Sequence, residues 1–148
     1  MTKYIQVFIL FLTFSAYGQH AIQMETPENT NEKFAEFIAK KKFIKENYYT
    51  GIPDKKIQLL STENINQVAT DFRAVATSEK PTDKKYQEKI KIGLLRFSSF
   101  YLELDTEDRE RVCTYFEELM DIVGLESSNG QLNTFMYGFD PNKPKKNH

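Results

Sequence analysis

The sequence predicts an all-α protein, a small bundle of four main helices plus one or two short ones. Three observations carry that expectation. Apolar residues recur at i, i+3, i+4 and i+7 in several stretches, the period of a helix with one buried face. Strand-like alternation is scarce. Helix-start residues and Gly or Pro stops bracket the periodic stretches.

The chain has 148 residues, 40% hydrophobic and 28% charged, which suits one domain with its own core. A formal net charge of -1 leaves no basic footprint, so nucleic acid is not an expected partner.

Residues 1–18 read as a cleavable signal peptide. Lys3 opens it, Ile5 to Phe14 form its apolar core, and Ala16-Tyr17-Gly18 puts small residues at -3 and -1 of a cleavage site before Gln19. The apolar run is about ten residues, too short for a bilayer, which needs roughly 20. The expectation is export to the periplasm or beyond, with no membrane span in the mature chain. Residues 19–29 lack periodicity and read as a polar leader. The helical domain is expected over 30–140, followed by a flexible basic tail over 141–148.

The first helix is expected to start near Asn29 or Thr30, with Glu32 at capping-box spacing, and to run to the Gly51 and Pro53 stops. Phe34, Phe37, Ile38, Ile44 and Tyr48 lie near one face. Lys41 interrupts that stripe and is expected to lay its stem over the core. Lys40, Lys41, Lys42 and Lys45 form a basic patch, read as a solvated helix end. Residues 54–60 fit a short strand or one helical turn. A second helix is expected from about Thr62 to Thr77, capped by Ser61 or Thr62, with Ile65, Val68, Ala69, Phe72, Val75 and Ala76 on its core face. Pro81 closes the next loop. The third helix is expected from Asp83 to Leu104, about 33 Å long. Gly93 in its middle implies close approach of a neighbouring helix.

Asp105 or Thr106 caps the fourth helix, and Glu107, Asp108 and Glu110 sit where the helix dipole favours negative charge. Val112, Cys113, Phe116, Leu119, Met120 and Val123 form its stripe. Gly124 is expected in the left-handed conformation, with Leu125 touching Met120. Leu132, Phe135, Met136 and Phe139 keep helical spacing in a short fifth helix ended by Gly138 and Pro141.

The chemistry is sparse. His20 and His148 lie at the ends of the mature chain, and Cys113 is the single cysteine, so His-based triads, His-bearing zinc sites and internal disulfides are not expected. No phosphate-cradling glycine loop is present. No catalytic, metal or cofactor-binding residue is assigned. Between Glu103 and Glu126, nine acidic residues face only Arg109 and Arg111. The candidate interaction surface is therefore Glu107, Asp108, Glu110, Glu117 and Glu118, with the polar loop Ser127, Ser128 and Asn129.

The strings Leu95-Arg96-Phe97, Asp105-Thr106-Glu107-Asp108-Arg109, Tyr115-Phe116-Glu117-Glu118, Gly124-Leu125-Glu126-Ser127-Ser128 and Tyr137-Gly138-Phe139-Asp140 resemble a bacterial family known as "domain of unknown function 4844". The resemblance implies a structural unit and brings no activity or ligand. The function expected is binding, to a protein partner or to a second copy through the basic end of the first helix and the acidic flank of the fourth. A carboxylate-dependent hydrolase of envelope polysaccharide and an inhibitor or immunity-type protein are the alternatives.

Overall fold

Asp54 starts the longest helix. Its carboxylate accepts from the amides of Lys56 and Ile57 at 2.8 and 3.1 Å, satisfying two of the free donors of the first turn. A computed structural model describes residues 21–138 of the chain. Over that span the chain forms α1 (Thr30–Ala39), α2 (Lys55–Ala76), α3 (Asp83–Leu95), a 3-10 helix (Ser98–Glu103), α4 (Thr106–Val123) and α5 (Gln131–Tyr137). The all-α expectation holds. The signal peptide and the basic tail lie outside the described residues. None of the described helices is long and apolar enough to cross a membrane.

α2 is the central element and packs against α1, α3 and α4. Its buried face carries Ile65, Val68, Ala69, Phe72, Val75 and Ala76, the residues that its periodicity selects. Residues 55–60 are its opening turns, which resolves the ambiguity left there. Ser61 is consequently buried inside the helix, and the Thr62 hydroxyl donates back to the Gln58 carbonyl at 2.8 Å; neither is a cap.

Two further boundaries depart from expectation. α1 ends at Ala39, and residues 40–54 are irregular, with Phe43, Asn47 and Gly51 at positive φ of 55°, 50° and 78°. Here Lys42, 2% exposed, turns inward and its ammonium donates to the carbonyls of Phe37 and Lys40. Those carbonyls lie at the end of α1, where a helix leaves acceptors free. Lys41 stays exposed, so the core-covering lysine is Lys42. Ile44 and Tyr48, expected in the stripe, face solvent at 42% and 99% exposure.

α3 ends at Leu95, and the chain tightens into the 3-10 helix. A three-residue turn sets residues i and i+3 on the same side, which lets both Phe97 and Phe100 bury and pack on each other at 5.6 Å. The leader is bonded to the bundle. The Met24 amide donates to the Pro81 carbonyl at 2.9 Å, the Asp83 amide to the Ile22 carbonyl at 3.0 Å, and the Thr26 hydroxyl to the Ala76 carbonyl at 3.0 Å. Composition carries no trace of such backbone pairing.

Gly93 sits where α2, α3 and α4 meet. A β-carbon there would lie 2.5 Å from Val68 Cγ2 and 2.9 Å from Phe116 Cζ, the close approach its mid-helix position implies. α4 follows its sequence grammar at both ends. Asp105 and Asp108 form a reciprocal capping box. Gly124 adopts φ 71°, while the Leu125 amide reaches the Met120 carbonyl at 2.9 Å, completing a Schellman ending.

Candidate functional site

The structure divides the acidic surface of α4 into parts with different roles. Asp108 leaves it: the side chain is buried, accepts the Asp105 amide at 3.2 Å, and takes the Tyr49 hydroxyl at 2.7 Å. Its carboxylate anchors the segment after α1 and is unavailable to a partner. Glu118 pairs with Lys40, and Glu46 lies 3.6 Å from Arg111. The basic end of the first helix and the acidic flank of the fourth thus meet within one chain. Glu107 and Glu110 line a hollow of about 320 Å3 with Tyr48, Tyr49 and Arg111.

Glu117 belongs to a larger groove of about 840 Å3 between the last turns of α4, the loop that follows and α5. Asp121, one turn on from Glu117, shares its wall, and Glu126 follows at the loop. Ser127, Ser128 and Asn129 form the polar rim, held by the Ser127 hydroxyl accepting the Asn129 amide at 3.0 Å. Leu125 and Leu132 supply apolar floor. Among the described residues no Lys, Arg or His lines the groove, and none lies within 4.0 Å of the three carboxylates.

What this arrangement can do chemically is limited. Glu117, Asp121 and Glu126 are all exposed. A general acid for glycoside cleavage is typically enclosed by apolar walls that disfavour its charge, and these three have no such enclosure. Cys113 lies under α5, its thiol 3.8 Å from the Leu132 carbonyl. Burial first, then Glu117 and Glu110, push that thiol up to about 12, which leaves it protonated and unreactive at neutral pH. Among the described residues no group of three His, Cys, Asp or Glu side chains could hold a metal ion.

The profile of the family described as "Domain of unknown function (DUF4844)" matches residues 25–140. The chain belongs to the DUF4844 family. A solved structure, a DUF3571 family protein from Acinetobacter baumannii AYE, is similar at 32% identity with a TM-score of 0.68, over 74% of this chain and 89% of that one. No curated protein matches the chain.

Within this DUF4844 chain, sequence reasoning missed two sets of residues. Asp121 and Glu126 were readable: Asp121 stands four residues from Glu117, hence on the same helix face, and Glu126 adjoins the polar loop at Ser127. Tyr115 was not. It is buried, its hydroxyl accepts the Phe43 amide at 3.2 Å, and its ring meets Phe43 edge-on at 5.1 Å. Only the fold brings positions 43 and 115 together.

Proposed function

We propose that this DUF4844 domain is an exported, non-enzymatic binding module whose groove between α4 and α5 receives a basic segment of a partner protein. The observation that carries the reading is the groove's charge: three exposed carboxylates, Glu117, Asp121 and Glu126, with no cation in its lining among the described residues. Exposed charges of one sign steer and select a partner of the opposite sign more than they add raw affinity. The pairing of Lys40 with Glu118 favours a different protein over a second copy, because that cation of the basic end is engaged within the chain.

The test is fluorescence polarisation of the mature protein with a labelled lysine-rich peptide at low and high salt. Binding that falls as salt rises, and that weakens about tenfold or more in a Glu117→Gln, Asp121→Asn, Glu126→Gln triple variant, supports the reading. A Glu107→Gln variant keeps the binding, since that residue lines a different hollow. Equal affinity of wild type and the triple variant overturns it.

A further inference from the structure

On the other side of the Asn129-Gly130 turn lies a second groove of about 640 Å3, between the last turns of α3, the 3-10 helix and α5. It shares Asn129 and Gly130 with the acidic groove and none of its carboxylates. Leu94 and Leu95 form one wall. Tyr101 and Phe135 form the other, their rings edge to face at 5.3 Å. Leu95 is 59% exposed, an aliphatic surface that water covers at a cost in the free chain.

Hydrogen-bond accounting narrows what this groove can recognise. Each hydroxyl has one proton to give. Ser98 gives its own to the Leu95 carbonyl at 2.7 Å, Tyr101 to the Phe135 carbonyl at 2.6 Å, and Thr134 to the Gly130 carbonyl at 3.0 Å. The Gln131 amide is occupied by Gln87, at 3.1 Å to its carbonyl and 2.8 Å to its side-chain oxygen. The walls therefore present carbon surface and engaged donors. Two side-chain donors remain, the Asn129 side-chain amide and the ammonium of Lys91. Among the described residues Lys91 is the one charged side chain in the lining, is exposed, and has no carboxylate within 4.0 Å.

We propose that this groove binds a long-chain carboxylate, with the apolar chain along Leu94, Leu95, Tyr101 and Phe135 and the carboxylate beside Lys91. The volume lies within the range of small-molecule sites, about 300 to 1,000 Å3. An open groove suits an amphiphile, whose tail leaves water while its head stays hydrated at the rim. A ligand rich in hydroxyls would find the protons of the lining hydroxyls already engaged, and a cation would meet Lys91. This proposal does not rest on the basic-partner reading, because the carboxylates of that reading lie outside this groove.

The test is a backbone-amide NMR titration of the mature protein with dodecanoate. Controls are dodecyltrimethylammonium, which has the same tail and the opposite head, and acetate, which has the head alone. Saturable dodecanoate shifts centred on Leu94, Leu95, Tyr101 and Phe135 are expected, with acetate inert. Lys91→Glu and Leu95→Ser, both at exposed positions, should each weaken dodecanoate about five- to tenfold while leaving the spectrum folded. No saturation, shifts centred elsewhere, equal binding of the cationic amphiphile at these amides, or wild-type affinity in both variants overturns the assignment.

Discussion

Gly93 and Lys42 show how single residues carry the packing. On propensity alone, Gly93→Ala should stabilise α3 by about 1 kcal/mol. The added methyl would stand 2.5 Å from Val68 Cγ2 and 2.9 Å from Phe116 Cζ, in a closed contact between three helices. Overpacking costs about 1 to 3 kcal/mol and should win, so urea denaturation is expected to show a net loss. A more stable Gly93→Ala protein would contradict the contact. Lys42 makes a pH prediction. Burial first, then the neighbouring Lys40, lower its ammonium from 10.5 to about 8, against an opposing pull from Glu118. From pH 8 upward the folded chain releases this proton while the unfolded chain still holds it. The unfolded state then binds more protons, so stability rises with pH. Cys113, raised from 9.0 to about 12, works the other way above pH 9, and Tyr86, raised from 10.0 to about 12, joins it above pH 10. Between pH 8 and 9 the unfolding free energy should therefore climb in the wild type and stay flatter in Lys42→Met. Parallel profiles would remove Lys42 as the cause.

Among the elements, the ends of α4 were legible in the sequence and the end of α1 was not. The signals for α4 are local: Asp105 caps three residues from Asp108, and Gly124 follows the last apolar residue. The stop of α1 depends on a lysine side chain folding back onto Phe37 and Lys40, and on Tyr115 accepting the Phe43 amide from 72 positions away. Helical spacing of Ile44 and Tyr48 is accidental under those constraints. The early end of α3 has the same origin, since Phe97 packs edge-on against Phe135 at 5.9 Å on an element that comes later in the chain. Two glycines separate backbone strain from crowding. Gly124 and Gly51 share a left-handed conformation, φ 71° and 78°. A β-carbon at Gly124 meets nothing within 4 Å, so Gly124→Ala should cost about 1 to 2 kcal/mol for conformation alone. At Gly51 it would lie 2.8 Å from the Lys45 amide nitrogen and 2.9 Å from the Ile44 carbonyl carbon, backbone atoms that cannot rotate away. Gly51→Ala should therefore be the more destabilised of the two by thermal unfolding, and the reverse order would place the strain elsewhere.

At the scale of the molecule, charge arrangement bears on association. The sequence shows opposite charges on the first and fourth helices and leaves open whether they join two copies or one. In the fold they meet within one chain through Lys40 with Glu118, and Arg111 of α4 adds a pair of the opposite sense with Glu46. Sedimentation velocity should accordingly give the same monomer at low and high salt. A dimer that dissociates as salt rises would return the self-association reading to first place. The candidate site was half legible: Glu117 and the Ser127-Ser128-Asn129 loop stand together in the groove, whereas Asp108 counts as surface in any linear reading and is buried by Tyr49. That last contact has a dynamic consequence. One oxygen of Asp108 accepts from Tyr49 and the other from the Asp105 amide, so a single carboxylate fastens both the segment after α1 and the start of α4. Opening either one strips a buried carboxylate of one of its partners, which couples the two. Native-state hydrogen exchange should then find the amides of Phe43, Ile52, Asp105 and Asp108 opening with one shared free energy, a cooperative unit assembled from distant parts of the chain.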